Sequence, residues 1–264
     1  MRLYRFQSES GEGPTGAPLE EPLGAFRATC PYRFHENLEV FRWVGETILG
    51  DAQPKLVGEV GFLEAPATMD CESGDDVGRI DMVLVGNEPM PGLPLTWCAV
   101  EIQAVYFSGD AMGHEFKAIS RKLSNSVPFP EGRRRPDYRS SGPKRLMPQL
   151  QIKVPMLRRW GKKMAVVVDR SFFESIGEMD NVADISNADI AWFIVRFEDV
   201  PGATSSRLVR DEVRYTTLER SVEGLTGGKP VSMSIFESRL LEKLTANSGK
   251  AWVADRTPSK PPGN

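Results

Sequence analysis

The sequence predicts an α/β domain built on a central mixed β-sheet flanked by helices. Three observations carry this. Short apolar, β-branched runs recur at 55–63, 78–86, 95–107, 165–168 and 190–197. Segments with helical spacing stand before, between and after them. The order helix–strand–strand–strand–helix–strand supplies the crossovers that such a sheet needs to cover both faces. With 264 residues, 40% of them apolar, the chain is long enough to bury a sizeable core in one large domain.

The elements follow in order. Residues 1–25, rich in Gly, Pro, Ser and Glu, read as a mobile arm. Over 34–49, Leu38, Phe41, Val44 and Ile48 recur at helical spacing and Gly50 supplies the stop. KLVGEVGFL (55–63) reads as a first strand, the acidic stretch 64–77 as a loop, and GRIDMVLVG (78–86) as a second strand ended by the turn-rich NEPMPGLP. LTWCAVEIQAVYF (95–107) is strongly β-forming. Residues 112–124 suit a helix, 125–143 a basic Pro-rich loop, and 145–163 a helix bent or split by Pro148 and Pro155. A buried strand over Ala165–Val168, a short helix near 171–178, a strand over Ile190–Phe197 and a helix over 231–245 complete the structured part of the chain. The domain is expected over 26–246, with a disordered tail over 247–264.

The charge is segregated. The formal net charge is −3, yet residues 117–163 hold fourteen Lys or Arg and two acids, a surplus of twelve positive charges. Such a window suits a polyanion, because clustered cations release the counterions condensed on phosphate. No apolar run approaches the ~18 residues of a membrane span, and MRLYRFQSES has no apolar leader segment. Cys30, Cys71 and Cys98 are odd in number and scattered, so they suggest packing residues in a reducing, cytoplasmic setting. Cys30 and His35 have no second close pair, so a structural iron or zinc site is not expected. No Walker A, G-x-G-x-x-G or G-x-S-x-G pattern is present.

The chemistry centres on Asp81, Glu101 and Gln103. Strand alternation puts Glu101 and Gln103 on one face and Val100, Ile102 and Ala104 on the other. Asp81 lies in the apolar run RIDMVLV, where a carboxylate is costly unless paired or metal-bound. If the two strands are neighbours, Asp81 and Glu101 converge on one hard cation, for which Mg²⁺ is the natural choice. The neutral Gln103 can orient a water or a phosphate oxygen. Glu46 and Glu59 are further acids near the site, and His114, Lys117 and Lys153 further groups that could approach it. The loop residues Arg133, Arg134, Arg135 and Arg139, with Lys144 and Arg145, are the candidate DNA contacts. Trp43, Trp160 and Trp192 read as core.

Asp…Glu-x-Gln across adjacent strands resembles the PD-(D/E)XK nuclease core, with Gln103 where that motif has Lys. CPYRF, VFRWVGETILG, GRIDMVL, AVEIQAVYFSG and RLMPQLQIKVPMLRRWGKKMAVVVD are similar to segments of the NotI-type restriction endonucleases. The resemblance implies cleavage of double-stranded DNA by a homodimer using Mg²⁺. It places metal ligation on Asp81 and Glu101, the third active-site position on Gln103, and a further acid on Glu59. The type enzyme's four-cysteine iron site has no counterpart in this chain. The implied activity is a type II restriction endonuclease acting at a palindromic site, GC-rich to judge from the abundant arginine. The alternatives are a catalytically inactive DNA-binding module on a nuclease core, and a structure-specific repair or recombination nuclease.

Overall fold

The computed structural model describes residues 26–64, 76–86, 92–108, 135–137, 140–202, 206–227 and 231–246. The arm, the helix expected over 112–124, Cys71, His114 and the tail lie outside the described residues. The chain divides into two compact units, Met1–Gly227 and Gly228–Asn264. The domain read from the sequence over 26–246 thus includes the helix of the second unit.

The first unit is organised around a six-stranded mixed sheet. Its strands are β1 (Lys55–Val57), β4 (Met82–Val85), β5 (Trp97–Ile102), β8 (Met164–Asp169), β9 (Ile190–Asp199) and β10 (Ser206–Thr216), neighbours in that order. β1–β4, β4–β5 and β9–β10 pair antiparallel, while β5–β8 and β8–β9 pair parallel. Two small ribbons accompany it. One joins β2 (Val60–Glu64) to β3 (Asp76–Ile80), and the other joins β6 (Phe107–Ser108) to β7 (Arg135–Pro136).

The central strands are buried on both sides and therefore read as continuous apolar runs. Every residue of β8 is buried, as are Ile190–Val195 of β9. Alternation sorts them into two cores. Met164, Val166, Val168, Ile190, Trp192 and Ile194 face one way, against Leu146, Leu150, Val154 and Leu157 of α2 (Met147–Arg159) and the segment before it. Ala165, Val167, Ala191, Phe193 and Val195 face the other way, against Phe34, Val40, Phe41 and Val44. The last three belong to α1 (Glu39–Val44), which continues as a π-helical turn over Gly45–Leu49. The helix expected over 34–49 thus begins only at Glu39. Pro31–Leu38 winds as a 3-10 segment interrupted at Glu36 and Asn37, and Asn37 and Leu38 both adopt positive φ. Gly50, with φ +67°, ends the helix in the left-handed conformation glycine tolerates best.

Four further differences have physical reasons. Each of the first two expected strands is broken in the middle, at 58–59 and at Asp81, where the chain leaves one partner and joins another. Pro148 follows directly on the π-helical turn Ser141–Leu146 at the start of α2, and Pro155 sits inside the helix, so neither splits it. Trp160 is not core: it is 44% exposed and tilts against Trp97 at 6.1 Å between ring centres. Finally, β10 and α4 (Leu218–Leu225) were not apparent in the sequence. β10 is an edge strand studded with Arg and Glu, a composition that masks its alternation.

The end of β8 anchors the beginning of the described chain. Asp169 caps α3 (Arg170–Ser175) by accepting from Phe172 N at 2.8 Å, and its other oxygen accepts from Ala28 N at 2.7 Å. In the second unit, α5 (Met233–Ala246) carries Met233, Ile235, Phe236, Leu240, Leu241 and Leu244 exposed.

Candidate active site

Asp81 occupies the single-residue break between β3 and β4, and Glu101 lies one residue before the end of β5. The register Met82↔Val100 places the two opposite each other one step further on. They share the face of the sheet covered by α2, from which Lys153 reaches down. Its Nζ donates to Glu101 Oε2 at 2.8 Å and to Asp81 Oδ2 at 3.3 Å. Two carboxylates, one from the break between β3 and β4 and one from β5, thus meet at one cationic atom. The environment is graded across the three side chains: Lys153 is 3% exposed, Glu101 10% and Asp81 54%. Burial pushes the Glu101 carboxyl above the usual range; the Lys153 charge opposes that rise and Asp81 adds to it.

Gln103 follows on the same side and is buried. Its backbone N–H extends the ladder by donating to Val167 O at 2.9 Å, and its Nε2 donates to Ala104 O at 2.5 Å. Glu59 is a near neighbour by register, since one step beyond Val60↔Ile80 it faces Asp81. Its carboxylate is nevertheless taken by Arg79 Nη1 at 3.1 Å, on the exposed surface. No group of three side chains able to hold a metal occurs among the described residues. The structure therefore brings together Asp81 and Glu101 with Lys153, and leaves Glu59 aside. Glu46 is elsewhere: it pairs with Arg210 on β10, which also binds Glu39. The Cys98 thiol is buried in the α1-side core and pushed up to about 12 by that burial, so it offers no thiolate.

The candidate DNA contacts are placed in part. Arg133, Arg134 and Arg139, together with Lys117, lie outside the described residues, and Arg135 lies on β7. Lys144 and Arg145 are exposed on the π-helical turn Ser141–Leu146 that leads into α2. The Arg145 guanidinium stacks 3.8 Å above the Tyr106 ring. The β6–β7 ribbon is the foot of the basic insertion and begins four residues after Gln103. It is tied to the helical turn by Ser141 Oγ, which accepts from Tyr106 N at 3.0 Å and donates to Asp137 O at 2.6 Å.

The family model for restriction endonuclease NotI matches residues 1–208, which include the sheet from β1 to β9, α1, α2, Asp81, Glu101 and Lys153. The chain belongs to the NotI restriction endonuclease family. None of the curated proteins matches it. As a NotI-family member the chain is a type II restriction endonuclease, a hydrolase whose substrate is DNA. Its six-stranded mixed sheet between helices is the α/β nuclease architecture expected from the sequence. No helix among the described residues of this endonuclease is long and apolar enough to cross a membrane.

Lys153 is the member of the site that sequence reasoning undervalued. In the sequence it is one of fourteen cations in a basic window and, like Lys117 and His114, a group that could approach the site. The available signal was its spacing: Leu146, Leu150, Val154 and Leu157 form the apolar stripe of α2, and Lys153 falls on that stripe. A cation there requires a buried partner.

Proposed function

We propose that this endonuclease hydrolyses phosphodiester bonds of double-stranded DNA with Mg²⁺ held by Asp81 and Glu101, working in the cytoplasm as a homodimer at a GC-rich palindromic site. The observation that carries the reading is the convergence of two carboxylates, from the β3–β4 break and from β5, on one cationic atom. Oxygen donors of this kind fit Mg²⁺, which takes one or two carboxylates and keeps waters in its other positions. The exposure of Asp81 leaves that side of the pair open to water and phosphate. Mg²⁺ held there supplies Lewis-acid polarisation of the phosphate and lowers the pKa of a water. Glu101 fixes the position from the buried side and Asp81 from the open side. Gln103, held in place by its bond to Ala104 O, presents its side-chain oxygen for aligning a water. A palindromic target is read by two copies related by a two-fold axis. Arg133, Arg134, Arg135, Arg139, Lys144 and Arg145 clamp the duplex, some on phosphates and some on guanine edges.

The direct test incubates plasmid DNA with the protein and Mg²⁺, with and without EDTA, and sequences the ends of the fragments. Discrete fragments that EDTA abolishes, with one common end sequence, are expected. Retardation of DNA without any cutting would favour the inactive module instead.

The raised Glu101 carboxyl gives a pH dependence. A carboxyl that holds its proton to higher pH competes with a cation over a wider acid range. Mg²⁺ affinity, measured by titration calorimetry as pH is lowered, is expected to start falling above the usual carboxylate range of about 4. An affinity unchanged down to that range contradicts the assignment of Glu101.

A further inference from the structure

This inference rests on the reading of Asp81 and Glu101 as the cation-binding pair and adds to it the residue that governs the pair before the ion arrives. The charge that balances the two carboxylates comes from α2, not from β5. Position 103, which continues the Glu101 face, carries a neutral amide bonded to Ala104 O. Lys153 instead descends from the buried stripe of α2, flanked by Leu150, Val154 and Leu157, so the docking of the helix fixes where its ammonium sits. Among the described residues its ammonium pairs with two carboxylates, Glu101 at 2.8 Å and Asp81 at 3.3 Å.

We propose that Lys153 is a placeholder cation: its ammonium occupies the point between Asp81 and Glu101 that a divalent ion takes, holds the pair converged, and gives way when that ion binds. Two carboxylates this close repel, and one of them is almost wholly removed from water, so for both to stay ionised the pair needs a positive charge beside it. An ammonium and a divalent cation cannot share one point, and their like charges repel. Metal binding at this site is therefore an exchange. Lys153 is a positioning residue that acts through the carboxylates, and it sets the affinity of the site.

The test compares the full-length wild type with Lys153→Met and Lys153→Gln, which remove the charge, and Lys153→Arg, which keeps it. Ca²⁺ binding is measured by calorimetry without DNA, and thermal midpoints are measured with and without Ca²⁺. The neutral variants are expected to bind Ca²⁺ about tenfold more tightly than the wild type, because the competing charge is gone. Lys153→Arg stays close to the wild type. The metal-free midpoint of the neutral variants falls, and saturating Ca²⁺ restores it. Neutral variants that fold only when Ca²⁺ is present give the same support. Folded neutral variants whose Ca²⁺ affinity is unchanged or weaker overturn the proposal, as do variants whose lost stability Ca²⁺ does not restore. Failure of the wild type and of the folded neutral variants alike to bind Ca²⁺ overturns the carboxylate-pair reading itself.

Discussion

Glu101→Gln and Asp81→Asn each lower the rate of DNA cleavage by about a thousandfold or more, while gel-shift affinity for the same DNA stays within a few-fold. The size follows from the several kcal/mol a metal contributes to stabilising charge on the reacting phosphate, at about 1.4 kcal/mol per tenfold. The amides are the informative substitutions. Glu101→Ala would leave the Lys153 ammonium buried beside one remaining, half-exposed partner, and breaking a buried pair costs about 3–5 kcal/mol. Loss of activity by that variant would mix chemistry with folding. Glutamine keeps the shape and an acceptor for Nζ while removing the charge that draws a divalent ion. Cleavage by Asp81→Asn at the wild-type rate in single-turnover assays would exclude Asp81 from the reaction.

The second large effect concerns stability. Trp192→Ala is expected to destabilise the protein by about 4 kcal/mol, read as a shift of the urea midpoint at unchanged slope. Trp192 is fully buried as the third residue of β9 and meets Phe173 edge-to-face at 5.7 Å. Its Nε1 donates to Thr216 Oγ1 at 3.0 Å and Ser221 Oγ at 3.2 Å, and these hydroxyls bond each other at 2.7 Å. One side chain therefore joins β9 to the last residue of β10 and to α4. Trp192→Phe keeps most of the apolar volume and leaves the two hydroxyls bonded to each other, so a loss of about 1–2 kcal/mol is expected. A cost below about 1 kcal/mol for the alanine variant would show that the α2-side core closes over the gap.

The parts of the fold that were legible in the sequence are those where one local pattern settles the outcome. β8 and β9 announce themselves because strands covered on both faces consist of unbroken apolar residues. The breaks at 58–59 and Asp81 were not legible, since each lies within what reads as one strand and arises from a change of partner. β10 was hidden by its charges, whose partners lie far away in sequence: Arg210 binds Glu39 and Glu46, and Arg170 binds Asp211 and Glu212. In the site, the pairing of Asp81 with Glu101 could be read from strand alternation and one assumed adjacency. Glu59 shows the limit of that logic. Its register beside Asp81 is favourable, yet Arg79, two residues earlier on the same face, takes its carboxylate.

The foot of the basic insertion has a geometric consequence for where such an enzyme can cut. Four residue steps separate Gln103 from Phe107, and an extended chain covers at most about 14 Å in that length. That is less than half a turn of B-form duplex, roughly 17 Å. On the proposed reading, in which Asp81 and Glu101 hold the metal, the foot of the ribbon would stand over base pairs flanking the break. Incision within or directly beside the recognised letters is the outcome this short tether favours, rather than incision at a fixed remove downstream.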